Sequence, residues 1–206
     1  QREAFSKYWP TYGIEEGDGV LDFGSLFGRH APVYLELGFG DGQVLKTLAT
    51  RHPEYNYLGV EVHRPGVGRL MRELAELDVA NVRIACSDGS ELLQRRIDQA
   101  SLAGIMIFFP DPWPKKKHHK RRLIQPAFVS MAASRLQPGG LLHLATDWED
   151  YALQMLEVLS GETLLENTDP GQGFSERPDS RPLSKYEARG QRLGHGVWDL
   201  IFRRRA

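Results

Sequence analysis

A chain of 206 residues with 41% hydrophobic and 26% charged residues has the length and composition of one globular domain, and no run in it approaches the roughly 18 apolar residues that a bilayer crossing needs. Its single cysteine, Cys86, cannot close an internal disulfide, and no signal-peptide pattern opens it, so a reducing cytoplasmic setting is expected. The formal charge of -1 hides an asymmetry: Lys115, Lys116, Lys117, Lys120, Arg121 and Arg122 fall within one short strip and leave the remainder acidic. Such a run is usually a solvated surface; its neighbours decide whether it is more.

In chain order, the first 30 residues show no clear period, and because the chain opens on Gln1, upstream residues are expected. Short apolar runs then recur at 33–38, 57–62, 82–87, 104–109 and 140–147, as buried parallel strands do. Between them, residues 43–51, 67–77, 90–97 and 124–136 space their apolar side chains three and four apart, which predicts helices with one core-facing stripe. Strands alternating with helices predict a doubly wound α/β fold. The tail predicts a helix at 147–159, a weak strand at 163–167 and a half-exposed strand at 196–204, giving a mostly parallel seven-stranded sheet with an antiparallel C-terminal strand. Between the last two strands, residues 169–195 form a long excursion with four glycines, three prolines and a short predicted helix at 185–192, a pattern of functional loops more than linkers.

The run LELGFGDGQVL places Gly38, Gly40 and Gly42 where the first strand must turn sharply into its helix, at the carboxyl edge where such sheets bind nucleotides. A glycine-rich turn alone is a weak signal. The spacing is one residue shorter than the nicotinamide pattern, and Glu36 and Asp41 bring negative charge to where a pyrophosphate would lie. A cationic, phosphate-free ligand such as S-adenosylmethionine fits better. Glu61 closes the second strand, where a carboxylate can accept from ribose hydroxyls, and Asp88 follows the third, placed to accept from an adenine amine or equally to cap a helix.

The fourth strand leaves through Phe109, Pro110, Asp111, Pro112, Trp113 and Pro114, and the prolines hold the Asp111 carboxylate in a defined direction. The stretch FFPDPWPKKKHHKRR, with LELGFGDG and GVEVH before it and LATDWEDYA and SKYEARGQRLGHGVWDL after it, resembles the bacterial tRNA (guanine-N7-)-methyltransferase family over nearly the whole chain. The resemblance implies transfer of a methyl group from S-adenosyl-L-methionine, leaving S-adenosyl-L-homocysteine, to N7 of a guanine in the tRNA variable loop, with no metal. It implies that Glu36, Glu61, Asp88 and Asp111 line the donor site beside the glycine turn, with Asp111 catalytic. It implies that Lys115 and Asp147 meet the substrate, that Lys117, His118, His119, Lys120, Arg121 and Arg122 contact RNA, and that Ser184, Lys185, Tyr186 and Glu187 complete the guanine pocket. Ser184 departs from the family's usual threonine but keeps the hydroxyl.

N7 of guanine carries an in-plane lone pair and no proton, so attack on a sulfonium methyl requires alignment and electrostatics but no general base. Asp111 is expected to orient either the guanine or the methyl donor, and Trp113 to be either a stacking platform or core. Arg177, Arg181, Lys185, Arg189 and Arg192 read as a second basic cluster, and the seven histidines show no metal-ligand spacing. tRNA is the expected partner, with no membrane, no obligate protein partner and a monomer favoured. The alternatives are a methyltransferase acting on another RNA or a protein amide, for which an N-P-P-Y segment would be usual in place of P-D-P-W, and a non-catalytic RNA-binding module.

Overall fold

The computed structural model describes residues 2–179, 181–183, 187 and 196–206. Its strands are β1 (Val33–Leu37), β2 (Asn56–Val60), β3 (Val82–Ala85), β4 (Leu102–Phe108), β5 (Leu136–Thr146), β6 (Leu165–Asn167) and β7 (Trp198–Arg204). They form one sheet in the order β3-β2-β1-β4-β5-β7-β6, parallel from β3 to β5, with β7 antiparallel to both β5 and β6. The order reverses between β1 and β4, and ligands of such sheets bind in the crevice outside the strand ends at that point.

The helices are α1 (Arg2–Tyr12), α2 (Phe23–Phe27), α3 (Gln43–Arg51), α4 (Arg64–Glu76), α5 (Gly89–Arg96), α6 (Pro126–Arg135) and α7 (Glu149–Ser160). Strand side chains alternate faces, so each sheet face gathers its own core. On one face Leu35, Leu58 and Ile105 pack with Leu93 of α5, Val129 of α6 and Met155 of α7. On the other, Tyr57, Ile84 and Met106 pack with Tyr12 of α1, Leu45 of α3 and Leu70 of α4. Each fully buried leucine contributes about 1.5–3 kcal/mol relative to exposure. Among the described residues no helix is long and apolar enough to cross a membrane.

The expected order of elements holds, with local differences. α4 starts earlier than the spacing predicts because Pro65, at the first turn, begins the helix at Arg64. α6 starts later than 124, because the residue before Pro126 is pushed into the extended region, where Gln125 sits at φ -125° and ψ 158°. β5 begins at Leu136, with an irregular pairing between Leu102 and Gly104 that absorbs the exposed Gln137, Pro138 and Gly139. The N-terminal segment, which showed no period, forms α1 against α4, and Gly13 then bridges to Ile84 at the free edge of β3. The basic strip, Lys116–Arg121, is a 3-10 turn. The predicted helix at 185–192 lies outside the described residues except for Glu187.

Candidate functional site

The turn after β1 holds Gly38 at φ +71° and Gly40 at φ +58°, a backbone that side chains rarely adopt, and a Cβ on either would point into open space. Gly42, at φ +75°, shares that backbone, and a Cβ there would also collide with the Leu70 side chain where α3 packs on α4. Gly38 and Gly40 line a cavity of about 790 Å³ together with Glu36, Asp41, His63, Phe109, Asp147, Arg181 and Glu187. Gly42, expected beside the ligand with them, is not among the residues that line this cavity.

Glu36, on β1, is 3% exposed, and its Oε2 has no hydrogen-bond partner. Burial, reinforced by the nearby Asp41 and Glu61 carboxylates, pushes its pKa up to about 8. Glu61, just past β2, braces the glycine turn: its Oε2 accepts from the Gly40 N–H at 2.8 Å and its Oε1 from the His63 N–H at 2.9 Å. Each oxygen keeps a second lone pair.

Asp88 caps α5, its Oδ1 accepting from the Glu91 N–H at 2.8 Å. It lines a second cavity of about 940 Å³, walled also by Phe5, Trp9, Glu15, Arg64 and Cys86. Position left cap and ligand-facing acid open; the geometry gives the cap and turns the residue toward a cavity.

Asp111 leaves the end of β4 exposed to solvent, on a loop in which Phe109 (φ +53°) and Trp113 (φ +44°) both hold left-handed backbone. Two bulky residues in that region store strain on either side of one carboxylate. The loop is anchored from below by Arg122, which is 2% exposed. Its Nε donates to the Pro112 carbonyl at 2.7 Å, Nη1 to Gln154 Oε1 at 3.0 Å and Nη2 to Asp150 Oδ2 at 2.7 Å, while the guanidinium lies over the Tyr151 ring. Arg122, expected among the RNA-contacting residues, is thus turned inward in this structure. Trp113 belongs to neither core cluster; its ring meets His118 edge-on at 5.9 Å and carries the Arg121 guanidinium at 5.0 Å. Lys115, Lys116, Lys117, Lys120 and Arg121 are exposed, and His118 and His119 half-buried.

Asp147 follows β5, exposed at the rim of the first cavity. Across it stands a buried network that the sequence did not reveal. Arg181 donates from Nη1 and Nη2 to the two oxygens of Glu187 at 2.6 and 2.8 Å, and from Nε and Nη2 to the two oxygens of Asp199 at 2.6 and 2.7 Å. His143 Nε2 lies 2.7 Å from Asp199 Oδ1. Burial holds the His143 pKa below its usual value despite Asp199. Burial alone would raise Asp199, but the hydrogen bonds from His143 and Arg181 keep its carboxyl below the usual range. Arg181 thus sits among carboxylates, not on the second basic surface expected of it. Ser184, Lys185 and Tyr186, expected in the same pocket, lie outside the described residues, as do Arg189 and Arg192 of the expected basic cluster. Among the described residues no group of three metal-ligating side chains could hold an ion.

Comparison with known proteins adds an independent line. The model of a family described as "Putative methyltransferase" matches residues 30–200. The chain is 49% identical over 206 residues to a tRNA (guanine-N(7)-)-methyltransferase of Alcanivorax borkumensis, covering all of this chain and 86% of the relative. It is 54% identical over 205 residues to the protein of the same name from Thiobacillus denitrificans, covering 100% and 89%. Among solved structures, the 16S rRNA methyltransferase KamB superimposes with a TM-score of 0.63 at 13% identity, over 94% of this chain and 96% of that one. An rRNA methylase from Streptococcus thermophilus does so with a TM-score of 0.59 at 11% identity, over 85% and 88%. At those identities the two structures speak for the fold.

Proposed function

The chain belongs to the tRNA (guanine-N(7)-)-methyltransferase family, and from that premise we propose that it methylates a variable-loop guanine from the 790 Å³ cavity at the β1/β4 switch point. The enzyme is S-adenosylmethionine-dependent and modifies guanine N7 in tRNA. One observation carries the assignment of the cavity: Glu36, which has a buried carboxyl oxygen without a partner, lines it together with Asp147 and Glu187. An unpartnered buried acid suits a cationic ligand, and the opposing carboxylates suit the donor-rich N1 and N2 edge of guanine.

S-adenosylmethionine, when bound, supplies the electrophilic methyl. Glu36 accepts from its ammonium group, the free backbone space at Gly38 and Gly40 admits its close approach, and the second lone pairs of Glu61 accept from its ribose. Asp88 presents its second oxygen to the adenine amine from the neighbouring cavity. Asp147 and Glu187 accept from guanine N1–H and N2–H, which turns N7 away from them. Asp111, held by the strained loop and Arg122, stabilises the positive charge that passes to the purine. No proton leaves N7, so orientation and fixed charge are the whole contribution of the chain. Lys115, Lys117, Lys120 and Arg121, with His118 and His119, hold the phosphates beside the entrance, where contacts position the RNA without reading it. The reaction takes place in the cytoplasm, without a metal.

The test is incubation with labelled S-adenosylmethionine and tRNA transcripts that carry or lack the variable-loop guanine, followed by chain scission at 7-methylguanine. Label and scission are expected only with the guanine. Equal labelling of both transcripts would overturn the assignment of the variable loop.

A further inference from the structure

Among the described residues the Phe, Tyr and Trp side chains are buried or half-buried with one exception, Trp148, which is 40% exposed. It follows directly on Asp147, which lines the 790 Å³ cavity, yet Trp148 is not part of that wall. As the residue before α7 it has a fixed backbone: its N–H donates to Thr146 Oγ1 at 3.2 Å, and its carbonyl accepts from the Ala152 N–H at 2.9 Å. Two residues on, Asp150 ties the same turn to the basic strip, since its Oδ2 lies 2.7 Å from Arg122 Nη2 and 3.7 Å from His119 Nε2. Trp148 therefore stands between the mouth of the cavity and the cations proposed to hold the phosphates. Trp113, the ring next to the strip itself, is already engaged by His118 and Arg121.

The groups around Trp148 select what would cover it. Asp147, Glu149 and Asp150 flank it and are exposed, and such carboxylates repel a phosphate. An exposed indole suits a flat, uncharged ring, and an unstacked nucleobase is one; aromatic stacking accepts any base because each has a π-face. A guanine drawn out of a folded RNA into a recessed cavity leaves its neighbours without a stacking partner. Because Trp148 lies outside the cavity wall, the base that it meets is a neighbour of the target and not the target itself.

We infer that Trp148 is a stacking platform for the nucleotide next to the target guanine, a second base site outside the cavity. The inference rests on the reading that the cavity takes that guanine. Such a contact strengthens RNA binding without reading sequence and without neutralising a phosphate. It leaves the salt dependence of binding and the step inside the cavity as they are.

The experiment measures RNA affinity and steady-state kinetics for wild type, Trp148→Phe and Trp148→Ala on tRNA transcripts whose target guanine has an intact neighbour or an abasic one, on its 5′ or its 3′ side. Trp148→Ala is expected to bind the intact transcript roughly 10-fold more weakly, and Trp148→Phe, which keeps a ring, to lose less than about threefold. At saturating RNA the kcat of Trp148→Ala is expected within about twofold of wild type, with an unchanged slope of log affinity against log salt. Wild type is expected to lose roughly 10-fold on one of the two abasic transcripts, and Trp148→Ala to lose nothing further on that one. Trp148→Leu, apolar but without a flat ring, gives the same readings if Trp148→Ala fails to fold. Losses that multiply on both abasic transcripts would overturn the inference, as would a Trp148→Ala that binds like wild type or abasic neighbours that cost wild type nothing. A reduced salt slope would also overturn it, since that marks a lost phosphate contact. Failure of wild type to methylate the intact transcript would instead sink the reading of the cavity, and the inference with it.

Discussion

A carboxyl group with one oxygen unpartnered inside a protein keeps its proton until something cationic arrives. Glu36 is in that state, its pKa pushed from 4.5 to about 8 by burial and then by Asp41 and Glu61. The folded chain holds a proton that the unfolded chain releases above about pH 4.5, so this group's contribution to stability declines as pH rises from there to about 8, by roughly 1.4 kcal/mol per unit. In the proposed reading Glu36 pairs with the donor's ammonium in its ionised form, so binding would expel the proton. The affinity for S-adenosylmethionine is expected to rise by close to tenfold per unit between about pH 6 and 7.5, and Glu36→Gln to bind weakly with no such slope. Equilibrium dialysis across that range checks both, and a flat wild-type profile would remove Glu36 from the ammonium. At this scale the place of the acids in the fold was legible: each of Glu36, Glu61 and Asp88 lies in or just beyond a strand near its carboxyl end. The sequence could not show what each oxygen does. Nor could it show Arg181 as anything but one more cation, since its partner Asp199 lies 18 residues away and His143, which bonds Asp199, lies 38 residues away and is brought there only by the β5–β7 register.

At the scale of elements, the basic strip divides by direction. Its 3-10 turn places residues three apart above one another, so Lys117 stands over Lys120 and His118 over Arg121. Trp113 fills the inner side of the turn against His118 and Arg121, while Arg122 turns inward to the Pro112 carbonyl. Replacing Lys117, Lys120 and Arg121 by Gln is expected to reduce the slope of log RNA affinity against log salt by about 2, since each phosphate contact adds about 0.7 to 0.9. Arg122→Met is expected to leave that slope unchanged, to cost about 2–3 kcal/mol of stability through its lost charge-assisted hydrogen bonds and to lower kcat by releasing the Asp111 loop. Salt titrations of binding and thermal melts separate the two; a flattened slope for Arg122→Met would return it to the phosphate-binding set. A charge run shows only its composition, so this inward turn of one member was not legible. α1 was legible in principle: Phe5, Tyr8, Trp9 and Tyr12 follow the spacing of a helical stripe, and they do face α4. Pro10 and the glycines beyond it masked the period.

At the scale of the whole molecule, the proposed reading divides the donor and base-binding tasks between the two sides of the β1/β4 reversal. The β1-β2-β3 half carries Glu36, Glu61 and Asp88, and the β4-β5-β7 half carries Asp111, Asp147 and the Arg181 network with the basic turn beside it. The alternation of strands and helices made this division legible, because strand order follows from right-handed crossovers. The edge of the β1-β2-β3 half is closed by α1 through a close approach: a Cβ on Gly13 would collide with the Trp9 ring, and Gly13 and Ile14 run beside Ile84 of β3. Trp9 also donates from Nε1 to Glu15 Oε1 at 2.7 Å, and both residues wall the 940 Å³ cavity into which Asp88 faces. Gly13→Ala must therefore push the indole and its cavity wall outward. The expected result is overpacking by about 1–3 kcal/mol, a lower melting temperature and a severalfold loss of donor affinity. The preference for a target guanine over inosine, which lacks the N2 amine, should stay at the wild-type value, because it is set in the other half. Measuring dialysis, melting and that preference on one variant tests the separation directly, and a preference that collapses with donor affinity would mean that the two halves act as one site.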